Sequence, residues 1–319
     1  MATVLGSFKE TKQILQDRGL DIGENTIRMI THRYAQRAKA ALSEHKVEFT
    51  ENIAGCRVVI STDGGRIRIR KNKRGPKTKK GRKRYSTDWR EPKLLIIYTV
   101  NDKGEMDRSF CPFIDGTMKG PDIIFGLIKF YLSKLNICKA DKVLFVADGA
   151  RWIWNRVATL MLSLGLLAHQ FYELVDFYHA VEHLSKVAEL RKGWKGKEKK
   201  RWVKKYCKLL LRGKIEEVVK AIREICRGRR SKELLREKNY FERNQKRMRY
   251  DKISKIGLPI GSGAMESTVR RVVNLRLKGA SIYWLEGAAE AMLMIRSYFK
   301  SGRWDMLKKL TFSTSLSCI

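Results

Sequence analysis

Five short runs rich in strand-forming residues fix what this chain can build: 57–62 (RVVIST), 93–100 (KLLIIYTV), 106–114 (MDRSFCPFI), 141–150 (DKVLFVADGA) and 171–176 (FYELVD). The short turn NDKGE joins the second run to the third, so the first three strands are expected antiparallel. Helical patterns at 122–135 and 152–164 separate the last three runs, and another at 177–190 follows the fifth. Three antiparallel strands, then helix, strand, helix, strand, describe a mixed α/β sheet. From 191 to 256 the apolar period is purely helical. Trp202, Val203, Tyr206, Leu209 and Leu210 share one face, and Ile215, Val218, Val219, Ile222 and Ile225 share the next, with Gly213 and Gly228 as stops. Further helices are predicted at 8–20, at 24–42, from near Gly263 to Leu277, and at 282–300. The expected organisation is a helical N-terminal arm (1–54), the first part of an α/β core (55–190), a basic all-helical insertion (191–256) and the C-terminal helices of the core (257–319).

Charge narrows the partners. The 319 residues include 68 Lys/Arg against 33 Asp/Glu, a formal net charge of +35. Such an excess repels itself unless an anion neutralises it, and nucleic acid is the expected partner. No apolar run reaches 18 residues and no signal peptide opens the chain, so no membrane partner and a cytosolic location are expected. The six cysteines form no Cys-x-x-Cys pair, which argues against a zinc ribbon and fits reduced thiols. Between Arg66 and Arg84 there are 12 Lys/Arg and no acid; 191–256 holds 26 Lys/Arg and 8 Asp/Glu. A basic loop without acids is better explained by phosphate contact than as a solvated face. Arg66, Arg68, Arg70, Lys77, Lys79, Lys80, Arg82, Lys83 and Arg84 are therefore expected on double-stranded DNA, with Arg270, Arg271, Arg276 and Lys278. No small-molecule substrate is expected.

Two acids sit where strands end. VVISTDG closes on Asp63 and VLFVADG on Asp148. Taken singly, Asp63-Gly64 signals a hairpin into the alternating run after it, and each Asp could serve as a turn or cap residue. Taken together, two adjacent strands ending in Asp would hold two carboxylates side by side, which is costly without a cation. Mg²⁺ accepts one or two carboxylates plus phosphate oxygens, and a pair of such ions can hold the attacking and leaving oxygens of a phosphodiester displacement. Glu266, in PIGSGAMEST, is the candidate third carboxylate, with Gly261 and Gly263 allowing close backbone approach. Spacing alone favours its pairing with Arg270 at i,i+4.

Six stretches in order, STDGGRIRIR, YSTDWREPKLLIIY, PFIDGTMKGPD, VLFVADGARWIWNR, DFYHAVEHL and LPIGSGAMESTVRRVVNLRLKG, resemble bacterial insertion-sequence transposases of the ISKra family. The resemblance spans about Gly55 to Trp304. It implies an RNase H-like DDE core in which Asp63, Asp148 and Glu266 form the catalytic triad and hold two Mg²⁺ or Mn²⁺ ions. It also implies that the helical segment between Asp148 and Glu266 is an insertion. The implied activity is that of a DNA transposase, a homo-oligomer on DNA that binds terminal inverted repeats, frees a 3′-hydroxyl and joins it to target DNA. An RNase H-like structure-specific nuclease and a DNA-binding protein without activity are the alternatives. Such transposases carry a longer N-terminal DNA-binding region than the 54 residues here, so end recognition is expected in the short helical arm unless the copy is a shortened one.

DFYHAVEHL places Asp176, His179 and His183 on one helical face. His179-x-x-Glu182-His183 also matches the H-x-x-E-H pattern of inverted zinc peptidases, a different enzyme class for which +35 is an odd charge. Packing at a helix–sheet joint is the plainer reading. The resemblance instead implies that Asp176 and His179, matching a C/D-x-x-H motif, position DNA or support the site without binding metal. Among Trp152, Trp154, Trp194, Trp202 and Trp284 most are expected in the core, with Trp284 the choice for stacking on a base.

Overall fold

The computed structural model describes residues 1–44, 48–79, 81–228 and 231–313. Its centre is a five-stranded sheet of β1 (Arg57–Gly64), β4 (Lys93–Val100), β5 (Phe113–Thr117), β6 (Lys142–Ala147) and β7 (Phe171–Val175), in the order β5-β4-β1-β6-β7. β1 runs antiparallel to β4, and β4 antiparallel to β5; β1 runs parallel to β6, and β6 parallel to β7. This is the mixed sheet the element order implies. All eight residues of β4 are buried, so both of its faces are covered, as its unbroken apolar run requires. Leu94, Leu95, Ile96 and Ile97 are fully buried, and burial of each contributes about 1.5–3 kcal/mol.

Helix α3 (Pro121–Lys134) lies on β4 and β5, with α4 (Arg151–Ser163) beside it; α5 (Phe177–Glu189) follows β7. Among the described residues, the segment 191–256 holds four α-helices: α6 (Gly196–Leu211), α7 (Ile215–Cys226), α8 (Lys232–Asn244) and α9 (Tyr250–Lys255). Gly213 and Gly228 both take positive φ beyond helix ends, as C′ residues do. The insertion folds back on the core through α5, which packs against α6 and α8.

The N-terminal arm does not stand apart. Helix α1 (Phe8–Asp17) is capped by the Ser7 hydroxyl, which accepts from the Glu10 N–H. Helix α2 (Glu24–Ser43) buries Ala35, Ala38 and Ala41 against α11 (Glu286–Lys300) and α12 (Trp304–Ser313) in a second core. Tyr34 stacks on Trp304 there, with ring centres 5.9 Å apart. Among the described residues no helix is long and apolar enough to cross a membrane.

Three local expectations change. Asp63-Gly64 is not a hairpin turn: β2 (Ile67–Asn72) pairs with β3 (Tyr85–Arg90) in a separate two-stranded sheet, while β1 pairs with β4 and β6. Largely exposed, β3 carries no buried period to announce it. The third core strand covers 113–117 rather than 106–114. Pro112 lacks the N–H a ladder needs, and the Asp107 carboxylate turns the chain by accepting from the Ser109 N–H and hydroxyl. The helix predicted to reach Leu277 is short: α10 covers Gly263–Val269, and a π-turn over 270–274 follows. The fully buried Arg296 donates there to the carbonyls of Val272 and Arg271, and also to that of Thr3.

Candidate active site

The register sets Ile60 of β1 beside Phe145 of β6. Three residues further along each parallel strand bring Asp63 and Asp148 to the same end of the sheet, close enough for their charges to interact. Both are partly buried. The Asp63 carboxylate accepts from the Gly64 N–H at 2.6 Å, and that of Asp148 from the Ala150 N–H at 2.9 Å. Burial pushes Asp63 up to about 6, and the charges of Asp148 and Glu91 push the same way; the Gly64 N–H and His179 oppose them. A carboxylate so disfavoured is one that a divalent cation would relieve. Two oxygen donors on adjacent backbones suit Mg²⁺ or Mn²⁺, which complete their shells with water and phosphate. Among the described residues no three His, Cys, Asp or Glu side chains group closely enough to share one metal ion. The pair Asp63–Asp148 is thus brought together, and Glu266 is not joined to it.

Glu266 follows a firmly held loop. Asp176, fully buried, caps α5: its Oδ1 accepts from the His179 N–H at 2.9 Å, and its Oδ2 accepts from the Ser262 N–H. The Phe177 N–H donates to the Ile260 carbonyl at 3.0 Å. Residues 260–262 are therefore clipped to the β7–α5 junction. A Cβ at Gly261 would meet the Tyr178 ring at 2.7 Å, so any larger residue there would push that exposed ring aside. Nothing crowds Gly263. Helix α10 leaves the clip, packs across β1 and β4, and carries Glu266 in its first turn, exposed. The i,i+4 ion pair with Arg270 does not form. Being inaccessible, Asp176 cannot touch DNA; it acts by holding the loop that presents α10.

On the Asp148 side the insertion makes a cleft of about 620 Å³, which sequence reasoning missed. Asp148, His179 and His183 line it with Arg151, Lys232, Arg236, Tyr240 and Arg243. His183 Nδ1 bonds the Glu237 carboxylate, and its ring stacks on Tyr240 at 3.6 Å. Burial, then the neighbouring Arg151, push the Arg243 guanidinium below its ordinary value, which favours an anion beside it. The only sequence signal for this wall is the basic excess of the insertion, which does not say which faces turn inward. Glu182 is well exposed and 3.8 Å from His179 Nδ1, while His183 turns to Glu237, so the two histidines of H-x-x-E-H are engaged with different carboxylates.

Gly149 fixes α8 over the strand end. A Cβ on it would lie 2.1 Å from Tyr240 Cε2 and 2.7 Å from Asn244 Nδ2, and Arg243 donates to its carbonyl at 3.1 Å. Elsewhere Gly→Ala stabilises by restricting the unfolded chain. Here Gly149→Ala is expected to destabilise by about 1–3 kcal/mol through overpacking, read as a lowered Tm. A raised Tm would show that α8 does not seat on Gly149.

Of the DNA-contact residues, Arg66, Lys77, Lys79, Arg82, Lys83, Arg84, Arg270 and Lys278 are exposed, and Arg68, Arg70 and Arg271 are partly buried. Lys80 lies outside the described residues. Arg276 is a correction. It is buried, with its guanidinium 5.2 Å from the Phe8 ring centre and 5.3 Å from that of Trp284, and burial lowers its pKa. It packs the N-terminal arm against the core instead of standing on an exposed surface. Trp284 is corrected with it: 7% exposed, it donates to the Leu277 carbonyl at 3.0 Å.

Compared with known proteins, the chain matches no family model, no curated protein sequence and no solved structure.

Proposed function

We propose that this chain is a DDE-type DNA transposase with an RNase H-like core. The observation that carries the reading is the Asp63–Asp148 pair at the ends of adjacent parallel strands, with Asp148 lining a cleft walled by Arg151, Lys232, Arg236 and Arg243 and an acid-free basic stretch following Asp63 in sequence. The strand order, with two antiparallel and two parallel steps around β1, supports the RNase H-like assignment.

In this reading the basic surfaces hold double-stranded DNA, first the element's terminal inverted repeats and then the target. Arg151, Lys232, Arg236 and Arg243 neutralise phosphates beside Asp148, and His179 borders the same space. Asp63 and Asp148 would hold Mg²⁺ or Mn²⁺, with Glu266 the third ligand if α10 turns it inward. The metal, when bound, supplies the positive charge that stabilises the attacking and leaving oxygens. Water displaces a 3′-oxygen from phosphorus, and the freed 3′-hydroxyl then displaces another in target DNA, each displacement in line. Two cuts on two ends call for a homo-oligomer on DNA.

The test is nicking and joining of a labelled duplex carrying the element's end. Wild-type protein with Mg²⁺ should nick and then join; Asp148→Asn should nick at least about 10³-fold more slowly, because several kcal/mol of transition-state stabilisation goes with the metal. Nicking without joining would make the chain a nuclease. Nicking at the wild-type rate by Asp148→Asn would remove the triad assignment. Stoichiometric zinc, with casein cleavage abolished by Glu182→Gln, would install the peptidase.

A further inference from the structure

The β2–β3 hairpin sets aromatic rings among arginines on one face. Arg68 pairs with Trp89 across the strands, Arg70 with Thr87, and Asn72 with Tyr85, so these side chains share a side of the two-stranded sheet. Trp89 is 47% exposed and Tyr85 is 45% exposed. The Arg66 and Arg68 guanidiniums lie 5.2 and 5.5 Å from the Trp89 ring centre. Arg68 is also 4.8 Å from the ring of Tyr283, which tilts against Tyr85 at 5.8 Å, and Arg70 is 5.8 Å from Tyr85.

Tyr283 comes from a segment that runs along β2 as a further edge. The Trp284 N–H donates to the Arg68 carbonyl at 3.0 Å, and the Arg70 N–H donates to the Trp284 carbonyl at 2.8 Å. The acid of the hairpin is on the other side. Asp88 is opposite Ile69 and pairs with Lys71 at 3.3 Å and Arg90 at 3.7 Å. Among the described residues, no carboxylate pairs with Arg66, Arg68 or Arg70 on the aromatic face.

We propose that this face, centred on Trp89 with Tyr85 and Tyr283, is a stacking platform for the unpaired bases of single-stranded DNA. A duplex offers proteins its phosphates and groove edges but hides the faces of its bases, so exposed rings gain only from unstacked nucleotides. Arginines between the rings supply phosphate contacts along the same strand. Position agrees with this. Arg66 is three residues beyond Asp63, and Trp89 is two residues before Glu91, whose side chain packs against Gly64. A strand opened at the candidate active site would reach the platform within a few nucleotides.

The inference rests on the DNA-processing reading for its substrate, but its test does not need cleavage. Binding of a fluorescent dT₂₀ oligonucleotide and of a 20-bp duplex is measured by anisotropy at 0.1 M salt for wild type, Trp89→Ala, Trp89→Phe and Tyr85→Ala. Base–aromatic stacking predicts about a tenfold loss for Trp89→Ala on dT₂₀, recovery in Trp89→Phe, and less than a twofold change on duplex. Tyr85→Ala should show the same selectivity more weakly, and it serves in place of Trp89→Ala if that variant melts early. Equal losses on both DNAs, or none on dT₂₀, would overturn the platform and leave the transposase reading standing. Failure of wild type to bind either DNA would overturn both.

Discussion

Asn in place of Asp63 is expected to leave a protein that binds DNA, no longer cleaves it, and is more stable than wild type at neutral pH. Cleavage should fall by at least about 10³-fold with divalent metal, since one of two carboxylates able to hold the ion is gone. The stability change follows from burial. Asp63 sits at about 6 in the folded chain against 3.8 for an ordinary Asp, so folding raises its proton affinity. Between roughly pH 4 and 6 the native state keeps a proton that the unfolded state has released. Stability is therefore lost as pH rises through that window, by about 1–3 kcal/mol for a partly buried group. Asp63→Asn removes the loss: its Tm should exceed that of wild type at pH 7 and match it below pH 4. Mg²⁺ should raise the wild-type Tm at pH 7 and leave the variant unmoved. Equal Tm values at pH 7, together with retained cleavage, would take Asp63 out of the site.

Much of this geometry is legible in residues that follow one dominant force. The runs around Val58–Ile60 and Leu94–Ile97 are apolar because the sheet buries both their faces, and their order dictates the mixed topology. Asp63 and Asp148 are legible as strand-end acids because each interrupts such a run. Legibility fails where packing between distant segments decides. Arg276 carries the same charge as Arg270 and lies six residues on, yet Phe8 and Trp284 enclose it. Strand β3 has no inward apolar face; its pairing with β2 and the rings of Trp89 and Tyr85 against arginines hold it. Trp89 therefore looks like loop, while Trp284, which looks available for stacking, fills the core. The cleft wall on α8 depends on Gly149 admitting Tyr240, a meeting of residues 91 positions apart. A glycine after a strand-end acid gives no hint of a helix that packs on it.

Replacing Lys77, Lys79, Lys80, Arg82, Lys83 and Arg84 together by Ser should give the largest loss of DNA affinity. The hairpin tip that carries the five described members is built by local bonds that do not use their side chains. The Lys73 N–H donates to the Arg84 carbonyl at 2.8 Å, and the Arg82 N–H to the Thr78 hydroxyl at 3.2 Å, with Gly75 and Gly81 at positive φ. The five described members are exposed, and no carboxylate pairs with them among the described residues, so serine should leave the fold intact. Every phosphate left without its cation lowers the log–log salt slope by about 0.9, so six would reduce it by about five and weaken binding by roughly 10³-fold or more near 0.1 M salt. The weakening should be the same for every duplex sequence, because phosphates carry no sequence information. Titrations from about 0.05 to 0.2 M salt on two unrelated duplexes check both points. Saturating DNA should restore the nicking rate of this variant, whereas no DNA concentration should rescue Asp63→Asn. A slope that does not change would make the tip a solvated surface and move phosphate binding to the α8 cleft.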